Sequence, residues 1–198
     1  MSLEGDRPDI RQLTDARTMR ALAHPVRIAL LEALTLEGPK TATEVGELIG
    51  ESPTTCSFHL RQLARYGMVE EAGGGKGRAR PWRASSLGFS FASSHDEPER
   101  DVAANALVHL VRERQLGRYR EWIETRATYP REWRDAAGNS EYLCYLTVEE
   151  LAQLNADLGA LLADRFVERL KHPSNRPEGS VPVEVLLFSY PLRPPGSG

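Results

Sequence analysis

The feature that most constrains the fold is the stretch from Ser52 to Gly67, which carries the signals of a complete amphipathic helix. A serine can cap a helix, the proline that follows suits its first position, and a glycine commonly ends it. Cys56, Leu60 and Leu63 recur at helical spacing and predict one apolar stripe. The remaining faces carry hydroxyl, amide, aromatic and guanidinium groups, which suit a DNA major groove. An ordinary solvated surface helix is the alternative interpretation.

A shorter helix is predicted directly before this stretch. It begins with a capping box from Thr41 to Glu44 and continues to Ile49. A tight turn that contains Gly50 joins the two helices. Two short helices with such a turn between them predict a helix-turn-helix. Upstream, residues 13–23 and 26–34 are also predicted to be helical, and the second of these has apolar residues on nearly every face, so it should be the most buried.

Two histidines fall at the boundaries of these helices. His24 precedes a proline, where we expect it to cap and pack rather than to catalyse. His59 sits beside the apolar stripe, and we expect it to pack or hydrogen-bond where helices meet.

After Gly67 the pattern becomes that of two short strands, and residues 68–84 predict a β-hairpin with a glycine-rich, basic tip. A nucleotide-binding loop is a weaker interpretation, because the Gly-Lys-Ser/Thr ending is missing. The net charge of the chain is −3, yet positive charge is concentrated between residues 59 and 83. That segment has six basic residues against Glu70 and Glu71, namely Arg61, Arg65, Lys76, Arg78, Arg80 and Arg83. The distribution is typical of a local phosphate-binding surface.

The ordered set of segments 22–31, 43–49, 57–63 and 67–69 resembles the ArsR-type winged helix-turn-helix transcriptional regulators. The resemblance covers about residues 13–88. It implies a dimeric DNA-binding repressor or activator with a helical dimer interface. It also implies that the helix beginning at Pro53 enters the major groove, while the hairpin flanks the minor groove or the backbone.

We therefore predict a homodimer that places two such helices in successive major grooves of a palindromic operator. The candidates for base-edge or thymine-methyl contacts are Thr54, Thr55, Ser57 and Phe58. The candidates for phosphate or minor-groove contacts are Arg61, Arg65, Lys76, Arg78 and Arg80. The alternative is a winged helix that binds protein rather than DNA and whose basic wing is incidental.

The predicted fold is mainly α with small β elements, with an N-terminal winged helix-turn-helix at 1–92 and a helical dimerisation and candidate effector region at 93–198. Residues 1–10 should be frayed, and residues 85–98 should be a linker with an added strand near 87–91. In the second region we predict a long helix over 99–128, followed by a strand-helix-strand layer formed by 142–146, 148–170 and 183–190.

The same sequence offers little for catalysis or metal binding. No nucleophile elbow, Ser-His-Asp order or paired carboxylates stand out, so we do not expect an enzyme. Cys56 fits a core position, and the cysteine pair that metal-sensing relatives carry is missing from residues 41–49, so neither a metal nor a cofactor is expected. No apolar run is long enough for a membrane span, and the expected location is the cytoplasm. An aromatic cluster is the candidate effector pocket, with ordinary core and dimer packing as the alternative: Tyr119, Trp122, Tyr129 and Trp133.

Overall fold

The structure is a computed structural model that describes residues 10–73, 80–92 and 95–194. The chain is mainly helical and divides into two compact units, Asp6–Gly117 and Arg118–Gly198. The elements of the first unit are β1 (Ile10–Gln12), α1 (Ala16–Leu22), α2 (Pro25–Glu37), α3 (Ala42–Ile49), α4 (Pro53–Arg65), β2 (Val69–Glu71), β3 (Trp82–Ala84), β4 (Gly88–Ser90) and the first part of α5 (Pro98–Thr125).

The core of the first unit is built around α2, as its apolar pattern predicts. Five residues of this helix are buried: Ile28, Ala29, Leu30, Leu31 and Leu34. The apolar stripe of α4 packs into the same cluster. Ala103, Ala104 and Leu107 of α5 are also buried there. The packed unit continues through Gly117, because the start of α5 buries an apolar face on this core.

Two small sheets complete the first unit. β2 and β3 pair antiparallel, with Val69 opposite Ala84, which confirms the predicted hairpin strands. Lys40 adds a bridge to Trp82 through two backbone hydrogen bonds of 3.0 and 2.8 Å. β1 pairs parallel to β4, which confirms the strand predicted near 87–91. The sequence gives no sign of β1, since its three residues are stabilised by a partner far along the chain.

The second unit contains the end of α5, a 3-10 turn at Arg126–Thr128, α6 (Arg131–Ala136), α7 (Val148–Lys171) and a 3-10 turn at Pro173–Asn175. α7 begins with a capping box. The Glu150 amide donates to Thr147 Oγ1 at 3.2 Å, and the Thr147 amide donates to the Glu150 carboxylate at 2.8 Å. The α6 helix lies between the predicted long helix and the segment 142–146, where no element was predicted. No described helix is both long and apolar enough to cross a bilayer.

The strands predicted at 142–146 and 183–190 do not form. Both segments are irregular, and the described part of the second unit contains no strand. A strand is stable only when a neighbour takes up its backbone hydrogen bonds, and within this unit neither segment meets one. Their apolar side chains are mostly exposed, as Tyr145, Val183 and Val185 show. None of residues 118–194 is buried, so this unit has no interior core of its own.

Candidate nucleic-acid interface

The outward side of α4 is a stripe of four exposed residues, Thr54, Phe58, Arg61 and Arg65, which we call the α4 stripe. Their spacing places them on the helix face opposite the buried Cys56, Leu60 and Leu63. Phe58 has 49% of its surface exposed although it is a large aromatic residue. Neither arginine has an ion-pair partner among the described residues. The stripe therefore offers a hydroxyl, a ring and two free guanidinium groups to a binding partner.

Thr55 and Ser57 lie on the flanks of this stripe and are half-buried. The Thr55 hydroxyl is 2.8 Å from the Ser52 hydroxyl, and the Thr55 amide donates to Ser52 Oγ at 3.1 Å. Ser52 is thus the helix cap that its position predicts. The Thr55 hydroxyl is thus held against Ser52 by one hydrogen bond, and it keeps further hydrogen-bonding capacity beside its methyl group.

The turn between α3 and α4 fixes the position of α4. Gly50 ends α3 in the left-handed conformation at φ 74°, which a glycine adopts without strain. The Glu51 amide then donates to the Gly46 carbonyl at 2.9 Å. A Cβ atom at Gly46 would lie 2.6 Å from the Glu51 carbonyl oxygen and 3.4 Å from Cys56 Sγ. The helix-turn-helix is therefore packed so closely at Gly46 that no side chain fits there.

The predicted capping box of α3 is also present. The Thr41 amide donates to the Glu44 carboxylate at 2.7 Å, and the Glu44 amide donates to Thr41 Oγ1 at 3.3 Å. The hydrogen bonds from the Thr41 backbone and side chain lower the pKa of the Glu44 carboxyl. The helix that supports α4 thus has a defined start.

On its buried side, α4 contacts a cluster formed by His59, His24 and Arg27. The sequence predicts the roles of the two histidines but not that of Arg27. His59 is buried, and its Nδ1 accepts a 3.3 Å hydrogen bond from Arg27 Nε. The His24 and His59 rings lie 4.4 Å apart between centroids. His24 Nδ1 caps α2 by accepting from the Val26 amide at 3.2 Å. Arg27, which sequence reasoning missed, also donates to the Ala21 carbonyl. The structural roles expected of both histidines are confirmed.

In the described part of the hairpin, two of its basic residues are paired with acids. Arg80 pairs with Glu71 at 2.8 Å, and Arg83 pairs with Glu70 at 2.6 Å, both on the exposed surface. Such exposed pairs contribute little to stability. Lys76 and Arg78, the other predicted wing contacts, lie outside the described residues.

The structure brings together only half of the predicted aromatic cluster. Tyr119 and Trp122 stack with ring centroids 6.1 Å apart and border a cavity of about 350 Å³ in the second unit. Tyr129 and Trp133 are partly exposed and do not line it. The other lining residues are Ile123, Arg126, Ala127, Arg134, Ala137 and Asn139. Sequence reasoning missed Arg126, although its spacing from Tyr119 and Trp122 puts it on their side of the chain.

The chain has two cysteines, and they differ in environment. Cys56 is fully buried in the first unit, where burial raises the pKa of its thiol, while Cys144 is exposed in the second. The core position predicted for Cys56 is confirmed. Within the described ranges, no three His, Cys, Asp or Glu side chains come together as a ligand set for a metal ion.

Comparison with known proteins bears on the first unit. Residues 22–72 match a family described as a helix-turn-helix domain. No curated protein matches the sequence.

Among solved structures, the chain is similar to ZitR of Lactococcus lactis. An apo double mutant of ZitR is 17% identical, with 75% of this chain and 81% of that chain covered, at a TM-score of 0.27. Wild-type ZitR in complex with DNA is 16% identical, with coverage of 83% and 82%, also at a TM-score of 0.27. TM-scores this low do not establish a common arrangement of the elements. The geometry from α2 to β2 and the family match together show that this chain contains a helix-turn-helix domain.

Proposed function

We propose that the protein is a sequence-specific DNA-binding transcriptional regulator of the ArsR-like type, acting in the cytoplasm and without catalytic activity. The observation that carries the proposal is the α4 stripe. It lies on the second helix of a helix-turn-helix, the element that enters the major groove in proteins of this kind. The stripe runs about 16 Å along the helix from Thr54 to Arg65. An exposed ring and two unpaired guanidinium groups have little role in folding, and they suit base edges, thymine methyls and phosphates.

The contacts divide by chemistry. Thr54, Thr55, Ser57 and Phe58 are proposed to meet base edges or thymine methyl groups. Arg61 and Arg65 on α4 are proposed to bind phosphate, together with the wing residues Lys76, Arg78 and Arg80. Arg80 would exchange Glu71 for a phosphate on binding.

We further propose that the regulator acts as a homodimer on a palindromic site. One α4 reads only a few base pairs, and a second copy related by two-fold symmetry doubles the site. The exposed apolar residues of the second unit support this step. A chain segment of this length without one buried residue needs another surface on which to bury its apolar side chains.

The test begins with selection of bound sequences from a random duplex pool, followed by titration of the selected site over a range of salt concentrations. Arg61→Ala and Arg65→Ala should each weaken binding and lower the slope of log K against log salt by about 0.9, the contribution of one neutralised phosphate. Arg120→Ala is the matched control, because it removes one exposed positive charge outside the helix-turn-helix domain.

Two results would contradict the proposal. Unchanged slopes in both α4 variants would remove the stripe from the interface. No retention of any duplex at low salt and micromolar protein would favour a winged helix that binds protein instead.

A further inference from the structure

We propose that the cavity beside Tyr119 and Trp122 binds a small aromatic carboxylate. As an effector site this inference rests on the proposed regulatory function, although the binding itself does not. The cavity volume of about 350 Å³ is that of a site for a small molecule. It is built by consecutive parts of one unit, namely the end of α5, the turn that follows, and α6 with the residues after it.

One wall of the cavity is aromatic. The Tyr119 and Trp122 rings are inclined by only 23° to one another and are backed by Ile123. Tyr119 has 37% of its surface exposed, so this aromatic surface is not used up by packing within the unit. Planar rings stack favourably on such a surface, which selects a flat, unsaturated ligand over a branched aliphatic one.

The polar part of the cavity lining is cationic. Arg126 and Arg134 both line the cavity with Asn139, and none of the lining residues is acidic. Neither arginine has an ion-pair partner among the residues that the structure describes, whereas the neighbouring Arg131 pairs with Asp135 at 3.2 Å. This arrangement stands out because residues 118–198 carry 10 Lys/Arg and 12 Asp/Glu, a net charge of −2.

Two guanidinium groups in a lining without an acidic residue favour the binding of an anion. Arginine binds a carboxylate through two parallel hydrogen bonds, and an amide such as that of Asn139 can donate a further one. A ligand whose ring stacks on Trp122 and whose carboxylate faces the arginines contacts both the aromatic and the cationic part of the lining. A neutral ring would leave the arginines unpaired, and an aliphatic acid would leave the aromatic wall uncovered.

The experiment is isothermal titration of the full-length protein, without DNA, with benzoate, salicylate and indole-3-acetate. Benzamide is the control without charge, and acetate is the control without a ring. We expect at least one aromatic carboxylate to bind about tenfold or more tightly than both controls. Arg126→Ala and Arg134→Ala should each weaken that binding by about tenfold, while Arg131→Ala should leave it unchanged. Circular dichroism checks that each variant retains its helices.

The inference is overturned if no aromatic carboxylate binds at millimolar concentration, or if Arg126→Ala and Arg134→Ala bind as tightly as the parent protein. The outcome is separable from that of the proposed function. DNA binding without carboxylate binding would reject only the cavity, and carboxylate binding without DNA binding would reject only the regulatory role.

Discussion

At the scale of single residues, His59 and His24 are kept neutral by their surroundings. Each accepts a hydrogen bond at Nδ1, from Arg27 and from the Val26 amide respectively, so each must carry its proton on Nε2. Burial is the main cause that lowers the pKa of His59, followed by the repulsion that a protonated His24 ring would add and by the charge of Arg27. Burial and then Arg27 lower the pKa of His24. Protonation of either ring at Nδ1 would displace a donor.

These shifts predict that acid destabilises the helix-turn-helix unit. In the unfolded chain both histidines take up protons near their ordinary pKa of about 6.5, while the folded chain resists protonation. The unfolded state therefore binds more protons, and the free energy of unfolding should fall as the pH drops from about 7.5 to 5.5. Urea denaturation at a series of pH values measures this fall.

A variant separates the histidines from other acid effects. His24→Asn keeps a side chain that can cap α2 but cannot titrate, so the slope of stability against pH should be smaller in this range. Capping hydrogen bonds lower the pKa values of Asp15 and Glu44, so the stability that these two carboxylates contribute is lost only at more acidic pH. The same slope in the parent and in His24→Asn would show that His24 does not contribute.

At the scale of secondary-structure elements, two helical glycines have opposite environments. Gly46 of α3 faces the Glu51 carbonyl, and a methyl group there would force α3 and the turn apart. Gly117 of α5 has nothing within 4 Å of the Cβ position. We expect Gly46→Ala to lower the free energy of unfolding by about 1–3 kcal/mol through overpacking. Gly117→Ala should raise it by about 0.5–1 kcal/mol through helix propensity.

Thermal and urea denaturation of the two variants provide the comparison, because the same chemical change is made in both helices. Equal effects would mean that the close approach at Gly46 relaxes without cost. A Gly46→Ala protein that remains folded but fails to bind DNA would show that the turn sets the angle of α4.

What the sequence could predict about the elements depended on how local their signals are. A capping box, a proline at the first helical position and apolar stripes are signals that lie within a few residues, so α3 and α4 are predicted with their caps. Strands depend on partners. The pattern at 183–190 is that of a buried strand, but alternation does not show whether a neighbour is available. β1 shows the converse, since its partner lies far along the chain.

The candidate sites, too, could be predicted only where the signal is local in the sequence. The face of α4 could be predicted because exposure follows helical spacing once the buried stripe is known. Which of its residues remain unpaired, and that Thr55 is tied to Ser52, depends on side-chain geometry. The cavity was predicted only as an aromatic cluster. Arg134 and Asn139 enter it through a bend of the chain that no spacing indicates.

At the scale of the whole molecule, the exposed apolar side chains of the second unit predict self-association. We expect light scattering after gel filtration to give the mass of a dimer. Both Val183 and Val185 are more than half exposed in the single chain. Val183→Lys combined with Val185→Lys should shift the equilibrium toward the monomer, because the two lysines would place charge in an interface that the dimer buries. Ser180→Lys is the control at a nearby exposed polar position.

A monomer at all concentrations would contradict the proposed dimer. A dimer that the valine variants leave intact would place the interface elsewhere on the chain. Either result can be compared with the DNA titrations, since a monomer should bind one half-site without cooperativity.

Because each unit contains one cysteine, the rate of thiol labelling can report the opening of the helix-turn-helix unit. A thiol reagent such as DTNB should modify Cys144 at once, whereas the sealed Cys56 can react only when the helix-turn-helix opens. In a Cys144→Ser background, the slow labelling rate then measures the opening equilibrium of that unit without denaturant. Operator DNA should slow it further, and acid should increase the opening fraction. Immediate labelling of both thiols would mean that the core around Cys56 is not closed in solution.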